Sequence, residues 1–168
     1  MVLLTTLILI AILTGLMLSL MQSVLLYYKV IAQVTRQHDL FYELERVTHQ
    51  VQLDYQQGRL HQCIVQDSHL DETRPALRPK PGCVLTQNNH TYPFLIEDLG
   101  DHPCLRGMKG DRRHASHHVR ITVLSSSLGQ AYLQIRVAEP ATQVLVCTDA
   151  VTRLIPWGVI SWRYVSMA

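Results

Sequence analysis

The sequence predicts an α+β protein: one long N-terminal helix, apolar in its first half and amphipathic in its second, followed by an antiparallel β-sheet that the amphipathic half covers. Three observations predict it. No charged side chain occurs from Met1 to Tyr28. Beyond Lys29 the apolar residues take helical spacing, with no Pro or Gly between Gly15 and Gly58. From Val119 onward short runs alternate apolar with polar residues, the period of a half-buried strand.

A hydrocarbon core about 30 Å thick takes roughly 20 apolar residues in a helix. Leu, Ile, Val, Met and Ala supply them, and before Gln22 the only polar interruptions are the hydroxyls of Thr5, Thr6, Thr14 and Ser19. Residues 1–28 are therefore expected to span a membrane. The absence of a basic stretch, the length of the run and the lack of an A-x-A site argue against a cleaved secretory signal. In residues 29–57 Leu40, Leu44, Val47, Val51 and Tyr55 form one stripe, while Arg36, Glu43, Glu45, Arg46 and Gln50 occupy other faces. Gly58 is the expected left-handed cap. Met1 to Gln57 thus read as one helix about 85 Å long at 1.5 Å per residue, whose stripe packs on the sheet.

The 168 residues leave room beyond the helix for one globular domain, and a net charge of +2 singles out no class of partner. Residues 58–118 read as a loop-rich region stapled by cysteines, because Pro75, Pro79, Pro81, Asn88, Asn89, Pro93, Gly100, Pro103, Gly107 and Gly110 punctuate short apolar runs. Residues 119–168 read as an antiparallel meander. Its strands are expected at 119–124, 132–138, 144–147, 152–155 and 159–165, with turns at Ser125–Gly129, Glu139–Thr142 and Pro156–Gly158.

Cys63, Cys83, Cys104 and Cys147 all follow the helix. An even count confined to the soluble part points to two disulfides and an oxidising compartment such as a bacterial periplasm. Three pairings are possible; the favoured one joins Cys63 to Cys83 across an irregular loop and Cys104 to Cys147 between a mid-domain loop and a late strand. Taken alone, Lys29 and Arg36 would put the domain on the cytoplasmic side. The cysteines put it outside, and the missing basic flank would then belong to a leader preceding Met1.

Chemistry is sparse. His114, His117 and His118 are the best metal candidates, but no cysteine pair or carboxylate set beyond Asp111 accompanies them, so a solvated loop is the favoured reading and no metal or cofactor is expected. Trp157, Trp162 and Tyr164 read as sheet packing. No Ser, Cys or carboxylate constellation has catalytic spacing, so no enzyme is expected.

An apolar start, one long helix and a disulfide-bearing antiparallel sheet together resemble the type IV pilin and pseudopilin superfamily. Within it, the run from Met1 to Gln22 is similar to the leucine-rich N-terminus of PilX-type minor pilins, most specifically at Ile12-Leu13-Thr14 and at Leu18-Ser19 followed by Met21. The resemblance implies a pilin-like fold and a minor pilin, a pilus or pseudopilus subunit for filament priming, tip assembly, adhesion, DNA uptake or secretion. Thr5 stands where most pilins carry glutamate, a departure that suits a minor subunit, and Gln22 stands where major pilins commonly have proline. The implied partners are other minor and major pilins, the inner-membrane assembly platform and, if a leader lies upstream, the prepilin peptidase. No specific nucleic acid is expected. The implied location is the bacterial inner membrane, single-pass with a periplasmic C-terminal domain, and the pilus or cell surface after assembly. Thr5, Ala11, Thr14, Gly15 and Ser19 are the candidates for helix packing during assembly, where small residues and hydroxyls select neighbours. The alternative is an unrelated single-pass periplasmic envelope scaffold.

Overall fold

The computed structural model describes residues 2–66, 83–125, 131–143, 145–148 and 151–166. The layout is α+β and pilin-like: one long N-terminal apolar helix, then a mixed sheet of seven strands. The chain divides into two compact units, Met1–Asp39 and Leu40–Ala168.

In the first unit every described residue belongs to α1, which runs Val2–Gln56 without interruption. All side chains from Leu3 to Asp39 are exposed. By length and composition α1 can cross a membrane, and a helix that is apolar all round is at home in lipid or against other protein rather than in water.

In the second unit the last turns of α1 supply the cover of a core. Leu44, Val47 and Val51 are buried to 1 % exposure or less, and Thr48 lies between them at 2 %. Leu40, Phe41 and Tyr55 are half-buried, whereas Glu45, Arg46 and His49 face out. The helix ends because Gly58 turns left-handed, φ +72°. Gly58 N–H then donates to Tyr55 O (2.9 Å) and Arg59 N–H to Asp54 O (3.0 Å), the paired bonds of a Schellman cap. An Arg59–Asp54 ion pair at 3.2 Å spans the same turn.

A 3₁₀ turn at His61–Cys63 leads into β1 (Ile64–Gln66), followed by β2 (Val84–Gln87), β3 (His90–Lys109), β4 (Arg112–Leu124), β5 (Ala131–Pro140), β6 (Arg153–Leu154) and β7 (Gly158–Ser166). The sheet order is β1-β3-β4-β5-β7, with β2 and β6 also pairing with β3. Register aligns apolar side chains in cross-strand rows: Phe94, Val123, Leu133 and Tyr164 form one, and Ile96, Ile121, Ile135 and Trp162 the next. With Tyr92 and the helical stripe these rows make the core, apart from Trp162, which is largely exposed. Tyr92 Oη also donates to a Glu43 carboxylate oxygen, pinning helix to sheet.

Three expectations need correction. The loop-rich reading of 58–118 fails over its second half, where β3 and β4 form the longest hairpin. Gly100 and Pro103, read as breaks, are absorbed by irregularities in β3. The register shifts between Asp98 and Gly100 and again between His102 and Arg106; Gly100 (φ +78°) sits at the first shift and Pro103 at the second. Gly107 has no side chain because the Trp157 ring covers it: a Cβ there would lie 2.3 Å from the indole. Gly110 opens the β3–β4 turn, and Asn88-Asn89, both at positive φ, make the β2–β3 turn. Pro75, Pro79 and Pro81 lie outside the described residues.

Secondly, the expected strand at 144–147 does not form among its described residues, 145–147. The place beside β5 is taken by β7, so alternation there finds no neighbour to pair with. Thirdly, the sheet is not a purely antiparallel meander. The expected strand at 152–155 shrinks to β6, which pairs parallel with Leu105 and Arg106 of β3, and β1 is parallel to β3 as well. The Ser125–Gly129 turn falls mostly outside the described residues; Ser125 N–H donating to Ala131 O at 2.8 Å closes that hairpin.

Candidate functional site

In the first unit the five residues named for helix packing, Thr5, Ala11, Thr14, Gly15 and Ser19, are all exposed. Ala11, Gly15 and Ser19 follow at four-residue spacing and so share one helix face. A Cβ placed on Gly15 would meet nothing within 4 Å, which leaves the backbone there open to close approach by another helix. Of the hydroxyls among these five residues, that of Thr14 is satisfied within the helix, Oγ1 donating to Ile10 O and Ala11 O, each at 3.0 Å, as is that of nearby Ser23, whose Oγ donates to Leu20 O at 2.8 Å. Back-bonded hydroxyls need no water, so they are compatible with hydrocarbon.

In the second unit the cysteines are joined as Cys63–Cys83 and Cys104–Cys147. The first bridge is buried against the core. The second anchors the chain after β5 to the β3 segment at the second register shift. Leu44, Val47 and Val51 enter the core, with Tyr55 packed at its margin and Leu40 half-buried. Phe41 and Thr48 were not in the sequence-derived stripe. Phe41 meets Tyr164 edge-on at 5.5 Å; its spacing from Leu44 and Thr48, at i+3 and i+7, was the available signal.

The three histidines named as metal candidates do not converge, because successive residues on a strand point to opposite faces. His117 lies between Asp101 (2.8 Å) and Asp98 (3.3 Å). His118 is on the other face, 1 % exposed, with its ring 4.4 Å from that of His102. Among the described residues no group of three or more His, Cys, Asp or Glu side chains is placed to hold a metal ion.

His118 also contacts Ser116, and this pair has the outline of a base and a nucleophile. Ser116 Oγ donates to Leu105 O at 2.8 Å and accepts from His118 Nε2 at 2.8 Å, so the ring proton sits on Nε2. His118 Nδ1 is buried with no hydrogen-bond partner among the described residues, where a working base would have an orienting carboxylate. Ser116 itself is fully buried, so a substrate has no route to its hydroxyl in this arrangement. Burial first, then the charges of Arg136, His102 and His117, push His118 from 6.5 down to about 4.

That shift predicts acid sensitivity. Between pH 6.5 and about 4 the unfolded chain binds a proton at His118 that the folded chain refuses. The stability it contributes is complete above pH 6.5 and falls as the pH drops towards 4. At about 1.4 kcal/mol per pH unit the loss reaches roughly 3 kcal/mol. His102, lowered by burial and by Arg136, acts in the same direction. Denaturant unfolding at pH 7 and pH 4.5 is expected to show this loss in the native chain and a smaller one in His118→Gln; equal losses would overturn the assignment to His118.

Comparison of the chain with protein-family models, with curated proteins and with solved structures finds no match.

Proposed function

We propose that this protein is a minor subunit of a type IV pilus or pseudopilus. It would be held in the bacterial inner membrane by the first part of α1, with its disulfide-bonded domain in the periplasm, and would contribute to filament priming or tip assembly. The observation that carries the reading is α1 itself: one helix of 55 residues, exposed and apolar at its start, supplies Leu44, Val47 and Val51 to the core of the domain at its end. Such a helix can leave lipid for a fibre of like helices with little change in its apolar surroundings, so small residues and shape select the neighbours. Ala11, Gly15 and Ser19 offer that selection. Thr5, in place of an acidic residue, removes a charge that repeating subunits would need, which favours a place at the tip or in the priming complex over one along the shaft.

The test is made in the native host. A photo-crosslinking residue at Gly15 is expected to give covalent adducts with other pilin-type subunits, and deletion of the gene is expected to cut surface filaments or the dependent secretion or uptake severalfold. Absence of adducts together with unchanged filaments and transport would overturn the proposal in favour of an envelope scaffold. A short basic segment ending in glycine, encoded upstream of Met1, would independently support it.

A further inference from the structure

We propose that the face of the sheet turned away from α1 carries a binding site for the dianionic phosphate group of a phosphomonoester, held by Arg136 and Arg163. Register places Glu97, Arg120, Arg136 and Ser161 in one cross-strand row and Thr122, Gln134 and Arg163 in the next. Arg120 and Arg136 are therefore directly opposed, with Arg163 diagonal to Arg136. Like charges so placed repel unless something negative lies among them. Glu97 answers Arg120, Oε2 to Nε at 3.4 Å.

Nothing comparable answers the other two. Among the described residues neither Arg136 nor Arg163 has a carboxylate within 4.0 Å. Arg136 reaches only His102 Nε2, at 3.4 Å, and its Nε is buried with no hydrogen-bond partner. Burial and Arg120 both weaken its hold on its proton, as expected where positive charge is crowded.

The same side chains line a cavity of about 350 Å³ together with Leu99, Gln134 and Ser161. Two uncompensated guanidiniums match a dianion; a single carboxylate would leave one of them unanswered. Guanidinium forks suit phosphate oxygens, and the Ser161 hydroxyl and Gln134 amide add neutral hydrogen-bonding groups. The space exceeds that of one phosphate ion and has Leu99 on its wall, so the phosphate is expected to carry an organic substituent.

The test uses the full chain in nonionic detergent at pH 7.5, titrated calorimetrically with phenyl phosphate, inorganic phosphate or acetate. Saturable one-to-one binding of phenyl phosphate is expected, tighter than that of inorganic phosphate and not displaced by equimolar acetate. Arg136→Gln and Arg163→Gln are each expected to weaken it about tenfold or more. Arg153→Gln, at an exposed arginine outside the cavity, should leave it unchanged. Arg163 is exposed, so Arg163→Gln remains a fair test even if Arg136→Gln fails to fold. No saturable binding, equal competition by acetate, or unchanged affinity in Arg163→Gln would each overturn the proposal. The site lies wholly within the globular unit, so the result does not depend on whether the chain joins a filament.

Discussion

Phe94→Ala is expected to destabilise the globular unit by about 3–5 kcal/mol, the usual cost of emptying a fully buried aromatic site. Phe94 is 2 % exposed and opens the cross-strand row that continues through Val123, Leu133 and Tyr164. Its neighbours are strand residues fixed by ladder hydrogen bonds on β3 and β4, and its own N–H donates to Cys83 O at 3.0 Å. The cavity therefore cannot collapse freely, which puts the cost towards the upper end. Against a total stability of about 5–15 kcal/mol for a domain, this should lower the melting temperature by roughly 10–20 °C. Near-ultraviolet circular dichroism of the full chain in detergent would follow it. Phe94→Leu, which refills most of the volume, is expected to cost under about 1.5 kcal/mol. Equal melting of the two variants would mean that Phe94 is not a packed member of this row.

The core in which Phe94 sits was legible where local period and tertiary packing agree. Leu44, Val47 and Val51 are spaced for one helix face, and Gly58 stops the helix through a conformation that glycine adopts without strain. The strand alternations of 119–124, 132–138 and 159–165 also lie within β4, β5 and β7. What was not legible depended on partners distant in sequence. Pro93, Gly100 and Pro103 read as loop because each interrupts a regular strand. In β3 Gly100 and Pro103 are accommodated at the two shifts of register against β4, and Pro93 pairs in register with Val84 of the short β2, before the β4 ladder begins at Phe94. Strands of two or three residues, such as β6 and β1, are too short to have a readable period. The opposition of Arg120 to Arg136 is likewise a fact of register: moving β5 one residue against β4 would exchange faces and disperse the site.

Replacing Cys104 and Cys147 together by Ser is expected to cost about 4 kcal/mol by loop-closure entropy, since this bridge spans 43 residues. Cys63–Cys83, spanning 20 residues, should cost about 3 kcal/mol on the same basis. The longer bridge has a second, local effect. Cys104 lies where β3 has lost register with β4, and a two-residue strand is not stable unaided. The tether brings the following segment to β3, where β6 pairs with Leu105 and Arg106, Ile155 N–H donates to Arg106 O at 2.9 Å, and Trp157 Nε1 donates to Met108 O. Without it the Ile155 amide should lose hydrogen-exchange protection before the β4–β5 ladder does, and Trp157 emission should shift to the red. Thiol reductant acting on the native chain should reproduce both changes, so the segment would hold its place only in an oxidising compartment. If the Ile155 amide stays protected in the double variant, the β3 contacts alone fix this segment, and the bridge acts on the unfolded chain only.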